Sequence, residues 1–262
     1  MYALITGASS GVGKAYAEIL ARDYKLNLLL ISNQETELKQ IASELCSRYA
    51  VKALPYYCDL SRREAAQEIY DWCTENNINI DILINNAGVF FWHPLNEVEP
   101  ERVSTMLNLH ILTPTLLCRF FMPSMMQRHH GFVLNMSSMT SWMAFPGIQC
   151  YNASKAYMLN FSKSMWYEAK AQGVVVTTLT PGAIDTPLYG LDNKTRRRLV
   201  RAGISFTPEK FAKIALRRMF NGRKTAMPGL VNHIAVPLLK HLPDWAVFVA
   251  MRHLPQYKKL MT

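Results

Sequence analysis

Four short runs carry apolar residues on consecutive rather than alternate positions: LNLLLIS (26–32), IDILIN (80–85), GFVLNMS (131–137) and GVVVTTLTP (173–181). A strand without polar alternation must be covered on both faces, which is the condition of a parallel sheet between two helix layers. Segments with helical spacing separate the runs. GVGKAYAEILARD follows a first strand, YALIT; then come ETELKQIASELCSRY, SRREAAQEIYDWCTEN, residues 100–128 and QCYNASKAYMLNFSKSMWYEAKAQ. The alternation predicts an α/β fold with a single doubly wound parallel sheet and helices on both faces.

Local signals refine that expectation. Pro55 in VKALPYYC assigns the third strand to an edge. Ser61 and Glu64 have capping-box spacing ahead of the third helix, and Pro114 predicts a bend in the helix over 100–128. Residues 183–206 break the pattern and read as a loop-rich lid with basic turns, NKTRRRLVRA. TPEKFAKIALRRMF restores a helix, with Thr207 as N-cap and Pro208 at its first position. A short strand is expected near TAMP. A basic, apolar, helical tail over 229–262 completes a chain read as one domain, 1–262.

Composition narrows the function classes. Of 262 residues half are hydrophobic and 18% charged, which favours a large core over disorder. Five cysteines, an odd number without C-x-x-C spacing, read as reduced thiols in a cytoplasmic protein. The seven histidines show no ligand spacing, so no metal is expected, and His129-His130 reads as a polar surface pair. YALIT already reads as a strand, leaving no room for a targeting segment. The late stretch LVNHIAVPLLKHLPDWAVFVAM is interrupted by His233, Pro237, Lys240, Pro243 and Asp244, short of the roughly 18 residues a spanning helix needs. Net charge is +10, yet residues 187–262 hold fifteen Lys and Arg against three Asp and Glu. That basic third fits a solvated face or an anionic partner: a phosphorylated ligand, an acidic acyl carrier, or a membrane surface to which the chain attaches peripherally. No nucleic-acid partner is expected.

TGASSGVG, Thr6 to Gly13, joins the first strand to the first helix. Glycines there tolerate positive φ and let backbone N–H groups and a helix N-terminus approach a pyrophosphate. The spacing is G-x-x-x-G-x-G. At the end of the second strand an acidic residue would bind a ribose and repel a 2′-phosphate. Here Ile31, Ser32, Asn33 and Gln34 precede the first carboxylate, Glu35. Ser32 and Asn33 can donate to phosphate, and Lys14 is near the turn. NADP(H) is therefore preferred, with NAD(H) as the alternative because no arginine stands there to clamp a phosphate.

YNASK spaces Tyr151 and Lys155 one helical turn apart. A free phenol has a pKa of about 10, and a nearby ammonium favours the phenolate. Such a phenol exchanges a proton with a carbonyl oxygen, and a serine from the upstream pair orients that carbonyl.

The glycine turn, CDL at 58–60, NNAG at 85–88, Asn108, Ser138, YNASK and PG at 181–182 come in order, mostly at strand ends. The set resembles the short-chain dehydrogenase/reductase family, of Rossmann type, over roughly residues 2–190. The resemblance implies a catalytic tetrad of Asn108, Ser138, Tyr151 and Lys155. The tyrosine is the acid/base, the lysine also binds the nicotinamide ribose, the serine fixes the carbonyl and the asparagine holds a relay water. It implies cofactor contacts from Gly7, Ser9, Ser10, Gly11, Val12 and Gly13 at the turn and from Ser32 and Asn33. Asp59 with Leu60 is assigned to the adenine, and Asn86, Ala87 and Gly88 to the adenosine side. Pro181, Gly182 and Thr186 are assigned to the nicotinamide end.

Within the family the chain looks most like the 3-oxoacyl-CoA reductase and 17β-hydroxysteroid dehydrogenase branch, departing from it at Asn33, where arginine is usual. The expected activity is reduction of a carbonyl, or oxidation of a secondary alcohol, on a bulky apolar substrate such as a 3-oxoacyl thioester. A hydroxysteroid dehydrogenase and a non-catalytic dinucleotide sensor are the alternatives. Phe91, Trp92, Met139, Trp142, Met143 and Phe145 follow functional strands and read either as pocket walls or as packing. By resemblance, the helices around 102–127 and 150–172 imply a homodimer or homotetramer.

Overall fold

The apolar runs form the interior of a seven-stranded parallel sheet of order β3-β2-β1-β4-β5-β6-β7. The computed structural model describes residues 1–253; the end of the predicted tail, 254–262, lies outside the described residues. In chain order the elements are β1 (Tyr2–Thr6), α1 (Gly11–Tyr24), β2 (Asn27–Ser32), α2 (Glu35–Tyr49), β3 (Ala53–Tyr57), α3 (Ala65–Glu75) and β4 (Ile80–Asn85). There follow α4 (Pro100–Leu107), α5 (Thr113–Gln127), β5 (Gly131–Met136), α6 (Gln149–Ala171) and β6 (Val174–Leu179). Last come α7 (Asn193–Arg201), α8 (Pro208–Phe220), β7 (Thr225–Ala226), α9 (Leu230–Lys240) and α10 (Asp244–His253).

Consecutive apolar residues serve two separate cores. Ala3 and Ile5 of β1 and Leu28 and Leu30 of β2 pack with Tyr16 and Leu20 of α1 and Phe211 and Leu216 of α8. Their neighbours Leu4, Leu29 and Ile31 point the other way, onto Ile69 of α3 and Leu117 and Phe121 of α5. Both strands are thus covered on both faces. The chain winds outward from β1 to β3, then returns to the far side of β1 with β4. This reversal opens a crevice beyond the carboxyl ends of β1 and β4, where doubly wound folds place ligands.

Pro55 lies in β3, the edge strand, as its missing N–H requires. Thr207 caps α8 by accepting from the Lys210 N–H. One local expectation is corrected. Ser61 caps no helix: its N–H and hydroxyl both donate to Asp59 Oδ1, and α3 begins only at Ala65 without a side-chain cap. The loop acid outcompetes the capping box because it satisfies two donors within two residues. The helix expected over 100–128 does run on through Pro114, with one irregularity. Helical backbone continues from α4 through a π turn over Asn108–Leu112 into α5, and the ladder is re-spaced just ahead of Pro114, whose missing N–H interrupts it. In the 183–206 segment the basic residues form a full helix, α7, capped by Asp192.

Candidate active site

The β1–α1 turn is built for close backbone approach. Gly7 and Gly11 have φ of 68° and 53°, and a Cβ at Gly13 would lie 2.0 Å from the Gly7 carbonyl oxygen. A Cβ at Gly11 would come within 3.2 Å of the Thr186 methyl. Ser10 is extended and provides no side-chain cap, so the first N–H groups of α1 are not taken by their own N-cap side chain. Thr6 ties the turn to β4: its hydroxyl accepts from the Asn86 and Ala87 N–H groups, while the Asn86 amide donates back to the Thr6 carbonyl.

These pieces border a cavity of about 520 Å³, within the usual range for a small-molecule site. Of the residues expected at a cofactor, Gly7, Ser9, Ser10, Gly11, Val12, Ser32, Asn33, Asp59, Leu60, Asn86, Ala87, Gly88, Tyr151, Lys155, Pro181 and Thr186 line it. Gly13 and Gly182 do not; both serve close packing. A Cβ at Gly182 would lie 2.3 Å from Asn232 Oδ1. At the far end the Ser9 hydroxyl donates to Gln34 Oε1 (2.6 Å) and lies 2.8 Å from the Ser32 hydroxyl, and Ser32 Oγ accepts the Gln34 N–H. Hydroxyl and amide groups, with no carboxylate, therefore form this wall.

The nicotinamide end is set by α6, whose buried face runs through Tyr151, Lys155, Met158 and Ser162. Ser137 fixes the helix, its hydroxyl donating to the Lys155 carbonyl at 2.7 Å. Lys155 Nζ lies 5.5 Å from the Tyr151 ring centroid and donates to the Met136 carbonyl. Burial lowers its pKa to about 8. The Tyr151 phenol is pushed well above its ordinary value, first by burial and then by the Tyr189 phenol, while a hydrogen bond from Ser138 pulls the other way. The expectation of an acidified phenol is corrected here. Desolvation dominates, and the ammonium lies beside the ring, engaged by a backbone carbonyl. Ser138 does not line the cavity but is buried behind Tyr151 and accepts the Thr140 N–H.

Asn108 is elsewhere. Its side-chain amide donates to the Ser61 carbonyl at 2.8 Å, tying the π turn to the β3–α3 loop, and its backbone carbonyl accepts the Thr113 N–H. His110, two residues on, faces the cavity instead. Burial, then Lys155, hold its pKa well below the usual histidine value. Its Nε2 accepts the Val89 N–H, so the proton is on Nδ1, 3.0 Å from the Ser154 hydroxyl. Ser154 in turn donates to the Tyr151 carbonyl. The neutral ring thus bridges the loop after β4 to α6. No motif spacing marks His110, which lies inside the π turn.

Tyr189 likewise belongs to no motif. It stands in a 3-10 turn, Pro187–Tyr189, packs edge-on against Phe90 with centroids 5.0 Å apart, and hydrogen-bonds Tyr151. Of the two readings of the apolar loops, packing is the one the structure favours. Phe91, Trp92 and Phe145 pack in a cluster behind Tyr151, Met143 is buried, and Trp142 lies under Lys163, 4.2 Å from Nζ to the ring. Neither these five nor Met139 border the cavity, whose apolar side is formed by Val89, Leu109, Ile184, Leu188 and Tyr189. Large aromatic side chains bury more area by packing together than by facing an open cavity.

Residues 1–197 match the family model described as short chain dehydrogenase. The inactive hydroxysteroid dehydrogenase-like protein 1 of Rattus norvegicus is 29% identical over 249 residues, 93% of this chain and 73% of the relative. A very-long-chain 3-oxoacyl-CoA reductase of Anas platyrhynchos is 30% identical over 214 residues, 78% of this chain and 67% of the relative. Among solved structures, a short-chain dehydrogenase from Sphingobium yanoikuyae in complex with NADPH superposes with a TM-score of 0.78 at 26% identity, covering 97% of this chain and 96% of that one.

Proposed function

The chain belongs to the short-chain dehydrogenase family, and from that membership we propose that it reduces the carbonyl of a bulky apolar substrate, a 3-oxoacyl thioester, using NADP(H). The observation that carries this reading is the Tyr151 phenol, which borders the cavity beside Lys155 with Ser138 hydrogen-bonded to it. The 3-oxoacyl-CoA reductase relative and the apolar wall of Val89, Leu109, Ile184 and Leu188 support the substrate class. The glycine cradle, uncapped α1 N-terminus and carboxylate-free Ser9–Ser32–Gln34 wall fit a dinucleotide with a 2′-phosphate. The solved relative holds NADPH. When bound, that cofactor supplies the hydride.

The chain's own groups do the rest. Tyr151 delivers a proton to the carbonyl oxygen, and its raised pKa keeps the phenol protonated at neutral pH, the form reduction needs. Ser138, buried behind the phenol, orients it through their hydrogen bond. Lys155 holds the cofactor ribose. Asn108, with its amide committed to Ser61, positions the loop carrying Asp59 and Leu60. The segment over 183–206 acts as a lid, with Tyr189 covering the phenol until substrate displaces it.

NADPH consumption by the purified chain is expected with 3-oxoacyl-CoA thioesters in preference to ketosteroids or small sugars. Tyr151→Phe is expected to lower kcat by about 10²–10⁴-fold while NADPH still binds. Faster turnover of sugars, or an unimpaired variant, contradicts the reading. The inactive relative supports a second reading, a non-catalytic dinucleotide sensor; NADPH binding without turnover of any of these carbonyls is its signature.

A further inference from the structure

The two most exposed large apolar residues, Trp245 and Leu238, lie on the last two helices. α9 is held by one side, through buried Asn232 and Val236. Its other side presents Val231, Ile234 and Leu238 at i, i+3 and i+7, and Leu238 is 67% exposed. α10 has no buried side chain and turns away from α9 by 110°. Trp245, Phe248 and Val249 form its apolar stripe, with Trp245 70% and Phe248 59% exposed. No single described helix is long and apolar enough to cross a membrane.

Charge surrounds this apolar surface. Lys240 and Arg252 flank the stripes, against one acid, Asp244. Lys163, on the neighbouring face of α6, is within electrostatic reach of Lys224 and Lys240. Exposed aromatics among cations match the chemistry of interfacial helices, which combine shallow apolar insertion with attraction to anionic headgroups. A second copy seated on the same face would bring two basic clusters together, whereas an anionic surface neutralises them.

We propose that α9 and α10 form a docking surface for an anionic lipid bilayer, with Ile234, Leu238, Trp245 and Phe248 inserting among the headgroups. α9 leans on the 3-10 turn Met139–Trp142, and its Asn232 amide lies against Gly182. The bilayer therefore meets the molecule on the side where Pro181 lines the cavity. Docking is independent of which carbonyl the site reduces.

The test is flotation of the full chain with vesicles of phosphatidylcholine, with and without phosphatidylglycerol. The chain is expected to float with the anionic vesicles and, with neutral vesicles or in high salt, to float about tenfold less. A Trp245→Glu, Phe248→Glu double variant is expected to lose about tenfold in flotation while keeping wild-type circular dichroism and NADPH binding. Brominated acyl chains are expected to quench tryptophan fluorescence of the unaltered chain. The proposal is overturned if the chain stays unbound with anionic vesicles. It is equally overturned if the double variant floats unchanged, or if that variant only converts a dimer to a monomer.

Discussion

At Lys155 folding and function pull against each other. Its ammonium is nearly solvent-free, with a backbone carbonyl of Met136 as its hydrogen-bond acceptor. Burial drops its pKa from 10.5 to about 8. In the window between these values the unfolded chain binds a proton that the folded chain does not, so stability rises with pH from about 8 to the ordinary lysine pKa. Below that window the folded, cofactor-free protein carries a penalty of about 3 kcal/mol for a charged buried amine. Lys155→Met removes it but leaves the Met136 carbonyl without that donor. The variant is therefore expected to gain about 1–2 kcal/mol at pH 7 and to lose the rise above pH 8, while turnover disappears. Urea unfolding of the cofactor-free chain at pH 7 and pH 10 reads both terms; a variant less stable than the parent at pH 7 contradicts the account.

The β1–α1 turn tests the same reasoning on an element. Gly13 is inside α1, away from the cavity, yet the space a Cβ would need there is taken by a backbone oxygen that cannot rotate aside. Gly13→Ala is expected to cost about 2 kcal/mol or more, with NADPH affinity falling because the turn must open. Gly190, at φ 66° with nothing near its would-be Cβ, is the control, and its Ala variant is expected to lose only about 1 kcal/mol of backbone preference. Thermal melts and NADPH titrations of both separate close packing from conformational strain. Periodicity made the elements legible: LLLI in β2 must face two cores, and Pro55 must lie at an edge, so sheet and helix layers follow from the chain. Side-chain competition was not legible. Whether Ser61 caps a helix or bonds Asp59 depends on a loop conformation that no spacing encodes. The same holds for Phe91 and Trp142, whose choice between pocket and packing is made by neighbours such as Lys163. Tyr151 and Lys155 were legible because one helical turn joins them. His110 and Tyr189 were not, because only tertiary structure brings them to α6.

For the whole molecule, the sheet reversal at β1 makes cofactor binding and stability one problem. The cavity draws its walls from the ends of β1, β2, β4, β5 and β6, so a ligand there contacts both halves of the sheet and resists unfolding of either. A ligand that binds only the folded state stabilises it by RT ln(1 + [L]/Kd), so melting temperatures rank affinities at equal concentration. The β2 end decides the ranking. Ser9, Ser32 and Gln34 are mutually hydrogen-bonded there, and the nearest acid in sequence, Glu35, is exposed on α2. Nothing in that wall repels a 2′-phosphate, and hydroxyls can turn to donate to one. NADPH is expected to raise the melting temperature above that with NADH by about 2–4 °C, the shift for a tenfold affinity difference in a chain of this size. Ser32→Asp brings a carboxylate to the same wall and is expected to reverse the order, because it accepts from a ribose hydroxyl and repels phosphate. Equal shifts with both cofactors in the parent chain, or an unchanged order in Ser32→Asp, would mean that the 2′-phosphate does not reach this end of the crevice.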